Sequence, residues 1–159
     1  MVERTGSFVL SSEDEQTRQK NLETVEYYMT LTGPDRGKKR MPLFTEDAAF
    51  ELTFTADCVP FRTTATPWHT VRDPENFPDW TLYNAHVYQT QNPNLFFVEC
   101  DGRGHMLLDG DTEPERTYEN HYILSFEMGD GKIKSLREFM NPCCLMKARG
   151  IPIPEVRLT

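Results

Sequence analysis

The sequence predicts an α+β fold in which a strongly bent, mixed and mostly antiparallel sheet wraps around N-terminal helices and leaves an internal pocket. Three observations predict it. Apolar residues recur at helical spacing near the N-terminus, two long alternating runs lie between residues 81 and 108, and a hairpin pattern occupies residues 121–141. A chain of 159 residues with 38% hydrophobic content is enough for one domain with a core of its own, so residues 1–159 are taken as one unit.

Taken in order, residues 1–11 read as a mobile lead-in. Ser12 and Glu15 stand in capping-box relation and acidic residues crowd the next turn, so a helix is expected from there. Leu22, Val25, Tyr28 and Met29 recur at helical spacing up to about Leu31, and Gly33-Pro34 ends the run. Leu43-Phe44-x-Glu46-Asp47-Ala48 then reads as a helix running into an alternating strand at Phe50–Phe54. Residues 56–80 carry four prolines, so any helix there is short and begins near Pro67, with His69 one turn inside it.

TLYNAHVYQTQ and NLFFVECDGRGHMLL read as two antiparallel strands joined at Asn92-Pro93-Asn94. Residues 109–117 read as an exposed loop, after which Tyr118 enters the next strand. The stretch 121–141, HYILSFEMGDGKIKSLREFMN, is two alternating runs hinged on Asp130-Gly131, where positive backbone angles suit a tight hairpin. Alternation puts Ile133, Ser135, Arg137 and Phe139 on one face of its second strand and Leu136, Glu138 and Met140 on the other. The tail after Asn141 reads as short, proline-broken and wrapped over the domain or its partner.

A net charge of −8 and a pI near 5.0 argue against nucleic acid or an anionic membrane as the main partner. An anionic small molecule would need a local basic group. Arg36, Lys38, Lys39 and Arg40 form the dense basic cluster: ordinarily a solvated helix face, alternatively the source of a guanidinium fork for a carboxylate. The four cysteines lack Cys-x-x-Cys spacing, and His86 and His105 lack metal-ligand spacing. Thiols are therefore expected reduced, both histidines structural or exposed, and no metal site is expected. The N-terminus shows neither a signal peptide nor a membrane span, so a cytoplasmic protein is expected.

Glu138 stands between apolar neighbours, an environment that raises a carboxyl pKa and suits a proton donor near neutral pH; the competing reading is a surface charge pair with Arg137. No phosphate loop, GxSxG elbow or Cys-His motif is present, which favours acid-base chemistry without a cofactor. A lone His69 is more often a surface or core residue than a catalyst, and a bare Tyr118 more often packing.

From Tyr118 onward, YENHYILSFEMGDGKIKSLREFMN is similar to the closing strands of the NTF2-like, ketosteroid-isomerase-like and SnoaL-like superfamily. Within it, REFMN, YENH, FPDW and FVECDG resemble the PhzA/PhzB proteins of phenazine biosynthesis, and the likeness covers most of residues 15–155. The resemblance implies an NTF2-like cone and a cofactor-independent, imine-forming enzyme. Two molecules of an amino-oxocyclohexene carboxylic acid would condense head to tail to the tricyclic phenazine precursor. It implies Glu138 as principal proton donor and acceptor, His69 as its partner, Tyr118 as an orienting hydroxyl, and Asp73 and Trp80 at the substrate. Arg40 would anchor a carboxylate, in the family by reaching the neighbouring subunit's pocket.

Arg72 and Asp73 stand where the commoner family pattern has tryptophan and serine; an Asp73 facing the pocket would raise the His69 pKa and repel an anion. The expected partners are an anionic amino-ketone substrate and a second copy or a close paralogue in a dimer. Two other classes fit the same fold: an isomerase-like or polyketide-cyclase-like proton-transfer enzyme, and a non-catalytic small-molecule binding protein.

Overall fold

A computed structural model of the protein describes residues 3–5, 9–65, 73–108 and 116–153. Its elements are β1 (Glu3–Thr5), α1 (Ser12–Thr30), α2 (Arg36–Arg40), a 3-10 turn (Met41–Leu43), β2 (Phe44–Leu52) and β3 (Phe61–Thr64), followed by α3 (Asp73–Asn76), β4 (Thr81–Gln89), β5 (Leu95–Met106), β6 (Arg116–Gly129), β7 (Lys132–Met140) and α4 (Pro142–Ala148). Among the described residues the seven strands form one sheet in the order β1-β4-β5-β6-β7-β2-β3. The pairs β1/β4 and β2/β7 are parallel and the other four antiparallel, which is the expected mixed, mostly antiparallel α+β arrangement.

Helix α1 covers the sheet with the face its sequence marks: Leu22, Val25, Tyr28 and Met29 are all buried. Full burial of each such side chain contributes about 1.5–3 kcal/mol. The cap differs from expectation, since Ser11 and not Ser12 accepts the Asp14 backbone N–H, at 3.1 Å. Two buried polar groups fix the helix to the hairpin turns. Asn21 donates to Pro93 O at 3.0 Å and accepts from the Gly131 N–H at 3.1 Å, while Arg18 donates to Thr90 O at 2.7 Å.

The β6–β7 turn forms as the sequence predicts, with φ of 53° at Asp130 and 80° at Gly131. One residue later the alternation breaks. Met128 pairs with Ile133 but Glu127 pairs with Ser135, so Lys134 is an extra residue in β7. Ile133 is therefore buried, on the side of Leu136 and Met140 rather than with Arg137 and Phe139. A second irregularity, around Asn84 (φ 52°) in β4, adds to the curvature of the sheet.

Three more expectations are corrected. Residues 3–5 are an edge strand, not a lead-in: Glu3 pairs with His86 and Thr5 with Tyr88, and side-chain contacts from Glu3 and Thr5 hold His86. The strand β2 begins at Phe44, and the helix before it is Arg36–Arg40; Phe44 and Ala49–Leu52 pair with the parallel partner β7, and Glu46-Asp47-Ala48 lie in the register shift between them. The tail opens with a helix because Pro142 sits at its first position, where no N–H is needed, and Asn141 Oδ1 caps the Cys143 N–H at 3.0 Å. Among the described residues no helix is long and apolar enough to cross a membrane.

Candidate active site

Curvature leaves a pocket between the concave face of β5–β7, the C-terminal part of α1 with α2, the α3–β4 turn and α4. The empty space within it, counted together with the open solvent across its mouth, is about 800 Å³. Four aromatic rings make one wall. Trp80 stacks on Tyr118 with centroids 5.3 Å apart and planes at 21°, meets Tyr122 edge-on at 6.0 Å, and packs with Phe77 at 5.5 Å. Such a wall suits a flat, unsaturated ring. Gly102 of β5 makes room for it: a Cβ there would lie 2.2 Å from Trp80 Cζ2.

Polar groups are few. Glu138 projects from β7 beside Leu124 of β6 and Leu52 of β2, half-buried, and lines the pocket as the position between Leu136 and Met140 predicts. Its charge is felt by three neighbours. Burial first, and then the Glu138 carboxylate, raise the Cys100 thiol pKa, with Arg40 opposing. For Tyr118, burial raises the phenol pKa, the Tyr122 and Asn120 hydrogen bonds counter it, and Glu138 adds to the rise. Tyr122 lies well above its ordinary value, from burial, then Tyr118, then Glu138. Both phenols are thus held neutral, as hydrogen-bond donors and not as bases. Their hydroxyls are 3.0 Å apart, and Asn120 Nδ2 donates to the Tyr118 hydroxyl at 2.8 Å.

The basic cluster divides at helical spacing. Arg36 and Arg40 are buried while Lys38 and Lys39 are exposed, so the solvated-face reading holds for only half of it. Arg40 is 2% exposed, lies 4.2 Å over the Tyr28 ring, donates to Leu31 O at 3.3 Å, and lines the pocket of its own chain. Its packing on Tyr28 holds it at that pocket.

Of the sequence candidates, Glu138, Arg40, Tyr118 and Trp80 line one pocket. His69 and Arg72 lie outside the described residues, as do the helix start near Pro67 and the loop 109–115. Asp73 opens α3, three residues before pocket-lining Asn76, and its side chain is likewise outside them. His105 is set apart from the pocket, its Nδ1 2.6 Å from Asp79 Oδ2. Sequence reasoning missed Tyr122, Phe77 and Arg149, all of which line the pocket. The first shares a strand face with Tyr118, a period-two signal within reach of the sequence. Among the described residues no three His, Cys, Asp or Glu side chains gather as a metal site.

A curved α+β sheet closing around an aromatic-lined pocket, with a half-buried carboxylate and a buried arginine on its wall, is the NTF2-like arrangement. Phenazine biosynthesis protein A/B is the family that matches, over residues 7–159, and the chain belongs to it. It is 43% identical over 149 residues to phenazine biosynthesis protein PhzB of Pseudomonas fluorescens, covering 92% of this chain and 90% of that protein. The crystal structure of a phenazine biosynthesis-related protein, PhzB2 from Pseudomonas aeruginosa, superposes with a TM-score of 0.83. That pair is 42% identical, over 92% of this chain and 95% of that one. An NTF2-like protein from Anabaena variabilis, 18% identical, shares the fold at a TM-score of 0.55, over 86% of this chain and 96% of that one.

Proposed function

We propose that the protein catalyses the head-to-tail condensation of two amino-oxocyclohexene carboxylic acid molecules in phenazine biosynthesis. The observation that carries this reading is the meeting of Glu138 and Arg40 in one aromatic-walled pocket of a chain from the phenazine biosynthesis family. Each amine nitrogen attacks the other molecule's ketone carbon and gives a carbinolamine. Loss of each hydroxyl as water leaves a C=N bond, so two waters depart and no electrons are transferred.

In this reading Glu138 delivers a proton to the departing hydroxyl and takes one from nitrogen, which returns it to its starting state. The Arg40 guanidinium holds a carboxylate, the Tyr118 and Tyr122 hydroxyls orient the carbonyl, and Trp80 stacks on the ring. His69 is assigned as the second proton-transfer group on the strength of the sequence resemblance. Holding two reactants in register contributes up to about 7–11 kcal/mol in the best intramolecular cases, and a positioned acid-base group about 10²- to 10⁴-fold. The dimeric state belongs to the same proposal.

The test is the condensation rate with enzyme against the rate in buffer alone, because amines and ketones condense unaided. Glu138→Gln should bring the rate close to that background while a substrate analogue still binds. A wild-type rate equal to buffer would remove the enzyme assignment and leave a binding protein.

A further inference from the structure

We infer that Arg149 is a second carboxylate anchor, set at the pocket mouth, and that the ligand it serves carries one carboxylate at each end. This rests on the condensation reading above. Joining two amino-keto acids head to tail consumes the amines and ketones but leaves both carboxylates, one on each outer ring. A pocket for such a molecule needs two cationic groups at a distance from each other. The buried Arg40, packed on Tyr28, supplies the inner one.

Arg149 has the attributes of the outer one. It is exposed yet lines the pocket, and it also lines the adjoining cleft, with which the pocket shares Leu52, Met140 and Leu145. Its backbone is fixed where α4 ends, the N–H donating to Leu145 O at 3.0 Å. The other end of α4 is tied to Asn120, behind pocket-lining Tyr118: Asn120 donates to Asn141 O at 2.9 Å and accepts the Asn141 N–H at 3.2 Å. Arg149 is thus carried on a short helix tied to the same side chain that orients Tyr118. Among the described lining residues two arginines face one carboxylate, Glu138, a local positive balance in a chain of net charge −8. That balance favours an anion over a neutral polycyclic ketone.

The experiment measures affinity by calorimetry for two rigid probes: phenazine with one carboxylate on each outer ring, and phenazine with a single carboxylate. Wild type should favour the dicarboxylate by about tenfold or more, the usual scale for one charge-assisted hydrogen-bonded contact. Arg149→Leu should abolish that preference with the monocarboxylate affinity unchanged, and Arg149→Lys should restore part of it. With substrate, Arg149→Leu should raise KM and leave kcat in place. A preference that survives in Arg149→Leu, or equal loss for both probes, overturns the role of Arg149 while the pocket reading stands. Wild type that binds neither probe overturns both.

Discussion

Asn120 links the pocket to the C-terminal helix through Tyr118: its amide donates to the Tyr118 hydroxyl at 2.8 Å and to Asn141 O at 2.9 Å, while its oxygen accepts the Asn141 N–H. One buried side chain therefore sets the orientation of a site hydroxyl and the starting point of α4. Asn120→Leu should lower stability by about 1–3 kcal/mol, the cost of leaving buried polar groups without partners. It should also weaken analogue binding, because both Tyr118 and α4 lose their reference. Denaturant midpoints and calorimetry check this, and an unchanged midpoint would contradict it.

Gly102 gives the second prediction. A methyl group there would overlap the Trp80 ring and press on Tyr122 Cε2 at 3.0 Å. Gly102→Ala should cost about 1–3 kcal/mol as overpacking and turn the indole off its stack on Tyr118. Near-ultraviolet circular dichroism reports the ring. A wild-type spectrum with unimpaired analogue affinity would show that the close approach is not needed.

The third concerns the carboxylate. Glu138→Gln should slow condensation by about 10²- to 10⁴-fold, and His69→Leu should lower it as well, with the fold retained in both. The first should also have a spectroscopic signature. Removing the Glu138 charge takes away one cause of the raised Tyr118 and Tyr122 pKa values, so the late phase of the tyrosine absorbance titration should move to lower pH. A titration that stays in place would separate Glu138 from the two phenols.

Alkaline stability follows from the same groups. Cys100, Tyr118 and Tyr122 have folded pKa values above their ordinary 9.0 and 10.0. Below those ordinary values both folded and unfolded chains keep the protons, and the stability is whole. As pH rises past them the unfolded chain ionises first, so stability falls, at about 1.4 kcal/mol per pH unit for each lagging group. The Tm should be level between about pH 7 and 8.5 and decline above about pH 9, more gently in Cys100→Ala. A level Tm up to about pH 11 would refute the shifts.

The outer sheet face supports the last prediction. Phe54, Tyr88, Phe97, Ile123 and Phe139 line a shallow apolar cleft there, with Phe54 54% and Ile123 45% exposed. Apolar surface of this kind is ordinarily covered by a partner. Sedimentation should give a dimer for the wild type and a monomer for Ile123→Glu; a monomeric wild type would remove the expectation.

Much of this molecule is legible in its residues, and the illegible parts share a cause. Strong periodic signals carried through: the Leu22-Val25-Tyr28-Met29 face, the Asp130-Gly131 turn and the Leu136-Glu138-Met140 face all form as read. Errors arose where a neighbour in space overrode a local pattern. The Glu46-Asp47-Ala48 segment looks helical alone and is drawn out inside β2 because Phe44 and Ala49, on either side of it, both pair with β7. The three residues of β1 are too few to show a period, and their partner is more than eighty residues away. At the site, Glu138 is legible from its apolar flanks and Tyr118 from the family resemblance, whereas Arg149 lies in a tail that reads as proline-broken and instead opens as a helix at Pro142.

The bulge at Lys134 decides which way the rest of β7 looks. Threaded as an unbroken ladder from the turn, the same residues would present Ser135 and Arg137 to the interior and Leu136 and the acid to water. In this architecture the acid's access to the pocket depends on how one surplus residue is absorbed between a turn and a strand end, a property of register that substitution tables do not record and that a designer reusing the scaffold must preserve.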